Sequence, residues 1–215
     1  MKPYYSDDAV TIYCGDCRDV LPSVHGNLIL TDLPYGIGLD YGESFNDTQE
    51  YLAELVVEVL PAMRRAASVV AFTCGVGNIH HYPEPTWTLC WYMANACAST
   101  GKWGFNQWQP VLVYGTDPYL RLRMGRRPDV IITAAPNNAK DKGWAHPCPK
   151  PYEPWAKILA RVSPVESDVV LDPFMGTGAT LQAAKNANRK AIGIEIEEKY
   201  CEIAAKRCSQ EVLAL

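Results

Sequence analysis

The apolar positions of the chain fall into two alternating patterns, short β-branched or aromatic runs and longer stretches with helical spacing. VTIYC (10–14), LILT (28–31), SVVAFT (68–73), PVLVYG (110–115), VIIT (130–133), DVVL (168–171) and AIGI (191–194) read as strands, and Thr88 to Met93 as one more. A short helix is predicted around Arg18 to Leu21. A longer one opens at Asp47, with Glu50 completing a capping box, and carries Tyr51, Leu52, Leu55, Val56, Val59, Leu60 and Met63 on one face. Pro61 is expected to kink or end it. Trp155, Ile158, Leu159 and Val162 share one face of a third helix, another begins near Ala179, and the last displays Tyr200, Ile203 and Ala204. This alternation predicts an α/β protein with a mostly parallel sheet and helices on both faces.

Two strand ends carry chemistry. The first apolar run of the pair, 28–30, leads into Thr31-Asp32-Leu33-Pro34-Tyr35-Gly36, an acid, a backbone carbonyl and an aromatic followed by a Gly-rich segment that stops the strand. Residues 37–47 read as a lid-like loop. The second run, 168–171, leads into Asp172-Pro173-Phe174-Met175-Gly176-Thr177-Gly178, then helix, strand and Glu195. Glycines in such a turn let the backbone approach a ligand closely, and an acid after the next strand can accept both hydroxyls of a ribose. Leu181 stands where a dinucleotide fingerprint requires its third glycine, which disfavours NAD. A tight strand–helix turn with no ligand is the plain alternative.

Composition narrows the class. With 215 residues, 48% apolar and 20% charged, the chain suits one ordinary domain. Its longest weakly polar run, 87–98, is too short to span a bilayer, and Met1-Lys2-Pro3 does not begin a secretory signal. Eight cysteines in a chain neither small nor visibly secreted point to reduced thiols and a cytosolic setting. Cys14 and Cys17 have zinc spacing without a second pair, so no metal is expected. Trp87, Trp91, Trp103 and Trp108 are expected in the core rather than as stacking platforms. The net charge is −4, but residues 118–150 hold seven Lys/Arg against two Asp, a local +5 that leaves −9 elsewhere. A basic segment on an acidic body suits a local nucleic-acid contact.

Three motifs together carry a resemblance. LDPFMGTGAT (171–180) resembles the S-adenosylmethionine motif of amino DNA methyltransferases, TDLPYG (31–36) their catalytic Asp-Pro-Pro-Tyr motif, and HPCPKP (146–151) the His-Pro-x-x-Lys-Pro before the cofactor motif of the β-class. Their order here is that of the β-class, and the likeness runs from about Tyr13 to Cys208, loosely over 78–145. The resemblance implies a Rossmann-like methyltransferase fold with a mixed, mostly parallel seven-stranded sheet. It also implies one methyltransferase domain over 1–215, with a small DNA-recognition insertion at about 116–145. Asp172, Phe174, Gly176 and Gly178 would cradle S-adenosylmethionine, Glu195 would bind its ribose hydroxyls, Asp16 its adenine amine and Lys150 its carboxylate.

On the catalytic side, Asp32 and the Leu33 carbonyl would accept hydrogen bonds from an exocyclic base amine, and Tyr35 would stack on the flipped base, with Pro34 restraining the turn. Leucine at 33 departs from the usual proline; the carbonyl is kept and the ring's rigidity is lost. Arg121, Arg123, Arg126 and Arg127 would contact double-stranded DNA. Asp rather than Ser at 32 favours adenine N6 as the target by analogy. Cytosine N4, RNA, or a catalytically silent cofactor- or DNA-binding module are the competing readings. The expected partners are DNA and, as an option, a second copy of the chain, in the cytoplasm of a bacterium or phage-infected host and with no membrane contact.

Overall fold

The β-branched runs pair so that every chemistry-bearing strand end lies on one edge of a single sheet. The computed structural model describes residues 1–38, 47–94, 100–101, 103–134 and 152–209. In chain order the elements are β1 (Tyr5–Ser6), β2 (Val10–Cys14), α1 (Cys17–Val20), β3 (Leu28–Asp32), α2 (Gln49–Ala66), β4 (Val69–Thr73) and β5 (Trp87–Ala94). There follow β6 (Thr100–Gly101), β7 (Gly104–Phe105), β8 (Trp108–Gly115), α3 (Pro118–Arg121) and β9 (Val130–Ala134). The last stretch holds α4 (Tyr152–Val162), β10 (Val169–Asp172), α5 (Ala179–Asn186), β11 (Lys190–Glu195) and α6 (Glu198–Ser209).

The main sheet has the order β1-β2-β11-β10-β3-β4-β8-β5-β9, while β6 and β7 pair only with each other. Strands β2, β11, β10, β3 and β4 are mutually parallel; β8 runs antiparallel to both β4 and β5. The seven strands from β2 to β5 are the expected mixed sheet. Two further strands extend it, β1 on one side and β9 on the other.

Strand alternation splits the core into two layers. Ile12, Leu30 and Ala71 face Trp155, Leu181 and Cys201 of α4, α5 and α6, whereas Ile29 and Phe72 face Leu52, Val59 and Met63 of α2. The predicted α4 face is fully buried: Trp155, Ile158, Leu159 and Val162 are at most 3% exposed. Each such side chain contributes about 1.5–3 kcal/mol of burial free energy.

Three local expectations are corrected. Thr48, not Asp47, caps α2, its hydroxyl accepting from the Tyr51 N–H at 3.2 Å. Helix α2 runs through Pro61 to Ala66. Proline removes the donor for the Val57 carbonyl, but Val57 is 73% exposed, so water can satisfy that oxygen. Of the four tryptophans only Trp91 is core; Trp87 and Trp103 are exposed and Trp108 is half-buried. Trp91 sits on the inward parity of β5, and its indole N–H donates to Thr133. No helix among the described residues is long and apolar enough to cross a membrane.

Candidate active site

Parallel strands that end together deliver their following residues to one place. β3 ends in Asp32, β10 in Asp172 and β11 in Glu195, while Gly15-Asp16 follows β2. These ends border one cleft of about 940 Å³, open solvent at its mouth included, lined among others by Asp16, Asp32, Pro34, Phe174, Gly176 and Glu195. A buried hydrogen bond ties its two halves together: the Thr31 hydroxyl donates to Asp172 Oδ1 at 2.6 Å, across 141 residues of chain.

On the β3 side, Asp32 is half-buried and held from two strands. Tyr35 Oη lies 2.8 Å from its Oδ1, and the Thr73 hydroxyl at the end of β4 donates to the same oxygen. Tyr35 Oη also lies 2.9 Å from Gln109 Oε1 of β8, so its single proton serves one acceptor at a time. The loop after β3 is fixed through its backbone. Asp47, 2% exposed, accepts the Gly36 and Ile37 N–H groups at 2.6 and 3.1 Å. Asn78 donates to the Tyr35 carbonyl at 2.6 Å, and Gln49 to that of Gly36 at 2.7 Å. Gly36 has φ +65°, and a Cβ there would stand 2.8 Å from the Gln49 amide. Leu33 itself is anchored by burial of its side chain, 3% exposed, in the α2 layer.

On the β10 side, Asp172 is 3% exposed and also accepts the Phe174 N–H. Burial, reinforced by the charge of Asp32, pushes its carboxyl up to about 6 against the pull of Thr180 and Thr31 hydrogen bonds. Glu195 accepts from the Gly176 N–H at 3.0 Å and the Glu197 N–H at 2.9 Å. Burial nonetheless pushes it up to about 7. Gly178, at φ +77°, opens α5 where a Cβ would press within 2.9 Å of Ala204. Only glycine allows the turn and α6 to close together there. Asp16 caps α1, and Arg18 grips its carboxylate through Nε and Nη2, holding it below the usual carboxylate range.

This arrangement, an acid held from two strands beside a carboxylate-lined pocket, can be compared with known proteins. The profile described as DNA methylase, of the N6/N4 type, matches residues 98–206, half of the chain. The chain belongs to the N6/N4 DNA methylase family. The Type II methyltransferase M.ScaI of Streptomyces caespitosus is 26% identical over 264 aligned positions, covering all of this chain and 86% of the relative. Among solved structures, the cytosine-N4-specific PvuII DNA methyltransferase superposes with a TM-score of 0.73 at 16% identity, over 99% of this chain and 91% of that one. The M1.HpyAVI–SAM complex gives 0.66 at 20% identity, over 94% and 100%.

As a member of the N6/N4 family this chain is a DNA methyltransferase with S-adenosylmethionine as its methyl donor. The pocket fits that donor: the half-buried Glu195 carboxyl, its pKa raised, suits paired hydroxyl donors, and Phe174 and Tyr200 supply apolar lining. Lys150 and the HPCPKP motif lie outside the described residues, as does most of the 37–47 loop.

The arginines expected at the DNA lie on the edge of the sheet opposite Asp32. Gly115 at the end of β8 pairs with Val69 at the start of β4, so the chain leaves β8 on the edge opposite Asp32. Arg121, Arg123, Arg126 and Arg127 are exposed on that far edge, with Arg127 over the Tyr119 ring at 4.8 Å. Tyr119 in turn donates to Ala160 near the end of α4. The antiparallel direction of β8, which charge patterning does not reveal, decides their place. Sequence reasoning also missed Thr31, Thr73, Asn78 and Gln109. Thr31 and Thr73 could have been flagged as hydroxyls at strand ends, whereas Gln109 carries no sequence signal. Asp47 was legible only as a helix cap.

Proposed function

We propose that this methyltransferase acts on the N6 amine of an adenine flipped out of double-stranded DNA. The carrying observation is the Thr31–Asp172 hydrogen bond, which fixes the Asp32 strand against the cofactor-pocket strand so that both motifs line one cleft. When bound, S-adenosylmethionine supplies a sulfonium methyl group, an electrophile that asks for an aligned lone pair rather than a strong base. An exocyclic amine delocalises its lone pair into the ring. Asp32 and the Leu33 carbonyl accept its two N–H groups, favour a pyramidal nitrogen, and stabilise the positive charge that develops on it. Thr73 and Tyr35 hold the Asp32 carboxylate for that task. Tyr35, tethered by its hydroxyl, offers the base a fixed ring face. In the pocket Glu195 takes the ribose hydroxyls, and Asp16, steadied by Arg18, accepts from the cofactor's adenine amine.

Asp at position 32 supports adenine over cytosine. The likeness to the cytosine-N4-specific PvuII enzyme favours cytosine N4 as the second reading. Labelled-methyl transfer to unmodified DNA, followed by digestion to nucleosides, separates them. N6-methyl-2′-deoxyadenosine is expected, and N4-methyl-2′-deoxycytidine as the sole product would replace the first reading with the second.

A further inference from the structure

We propose that the β6–β7 hairpin engages DNA, with Trp103 and Phe105 stacking into the duplex at the opened target base pair. The proposal rests on the DNA methyltransferase reading and names the surface through which the duplex is met.

The hairpin is placed by its stems. β5 precedes and β8 follows it in the chain, and their last pair is Tyr92 with Trp108, beyond which the Met93 N–H donates to the Gln107 carbonyl. Thr73 at the end of β4 pairs with Val111, so residues past 109 toward the hairpin project beyond the edge that carries Asp32. Gln109, two positions from Gln107, touches the Tyr35 hydroxyl. The hairpin therefore springs from the rim of the catalytic cleft.

Its described side chains are unsuited to water. Trp103 is 102% exposed and Phe105 66%, and among the described residues neither β6 nor β7 is hydrogen-bonded to the main sheet. Gly104, at φ +120°, stands between the two aromatics in sequence, where a Cβ would meet nothing within 4 Å beyond its chain neighbours. Flat aromatic faces on a two-stranded projection match base pairs chemically, since every base has a π-face and a base leaving the stack exposes two more. Apolar wedges between base steps serve this way in other DNA-bending proteins. The basic arginines do not compete for the role, because they lie across the sheet from Asp32.

The test uses the full chain and the double variant Trp103→Ala/Phe105→Ala, assayed on unmodified plasmid DNA in native duplex form and after heat denaturation. Both side chains are exposed, so thermal unfolding should match wild type. Duplex methylation is expected to fall about tenfold or more in kcat/KM, the effect of losing one to two stacked bases. Methylation of denatured DNA should change by less than about threefold, because no pair has to be opened. Equal loss on both DNA forms would assign the hairpin to the cleft or cofactor and overturn the proposal, as would undiminished duplex methylation. So would a shift in oligomeric state by the variant, which would make a second copy the partner. A parallel titration follows quenching of the protein's tryptophan fluorescence by the same duplex, an effect expected in wild type and reduced in Trp103→Ala. It decides the hairpin independently: a wild type that methylates nothing sinks the functional reading, while quenching that survives Trp103→Ala sinks this one.

Discussion

The two edges of the sheet are built in opposite ways. At the carboxyl-terminal edge, side chains from β4, β8, α2 and the loop after β4 converge on five residues, Asp32 to Gly36, and fix the Asp32 carboxylate, the Tyr35 hydroxyl and the Tyr35 and Gly36 carbonyls from distant segments. At the other edge, Arg121 to Arg127 stand exposed, and the neighbouring Asp117 and Tyr119 are tied to the end of α4. The first edge is rigid and specified by long-range hydrogen bonds; the second is charged and loosely attached. Local charge density in the sequence points to the second edge, while the site proposed for methyl transfer is at the first. Convergence of distant segments is the better signal of a reacting centre than accumulation of one charge.

The comparison can be broken most severely at Asp32. Asp32→Ala is expected to lower methyl transfer by about a thousandfold while leaving cofactor binding by calorimetry within about threefold, because the removed acceptor acts on charge that develops only during reaction. If activity survives, the carboxyl-terminal edge is not the reacting edge.

Asp47→Ala is the next test. It strips the partner from two backbone N–H groups and should cost about 2–3 kcal/mol of stability, read by denaturant unfolding. The looser Tyr35–Ile37 backbone should lower kcat roughly 10- to 100-fold, with the cofactor Kd little changed. Asp47→Asn, which keeps one acceptor oxygen, should fall between.

Glu195 sharpens the pocket side of the comparison. Its carboxyl sits near 7 in the ligand-free chain, and ribose hydroxyls donating to it favour the ionised form, so binding releases a proton. Cofactor affinity should therefore rise about tenfold from pH 6 to 8 and level off above, and Glu195→Gln should flatten that dependence. An affinity that falls with rising pH over this range would contradict the assignment.

The smallest effect belongs to the far edge. Replacing Arg121, Arg123, Arg126 and Arg127 together by Gln should alter kcat less than about twofold, and the salt dependence of the DNA KM should keep its slope, since no phosphate contacts at the reacting edge are lost. A slope lowered by two or more would return these arginines to the DNA and collapse the contrast between the edges.

Much of this protein was determined by sequence alone, because the relevant physics is local. Hydrophobic periodicity set strands and helices, and a Gly turn or an acid at a strand end marked Asp32, Asp172, Gly178 and Glu195, each of which depends on only a few neighbouring residues. Even the departure at Leu33 was visible, though not what it rests on. Tertiary structure alone decided what lies beside what. The strand order joined Thr31 to Asp172, and the reversed direction of β8 carried the arginines away from Asp32 and brought Gln109 to Tyr35. It also turned Asp47 from a helix cap into a buried acceptor for the loop after β3 and left Trp103 outside the core. Pairing direction and long-range hydrogen bonds depend on segments many tens of residues apart, and a periodicity read over a dozen residues carries no information about them.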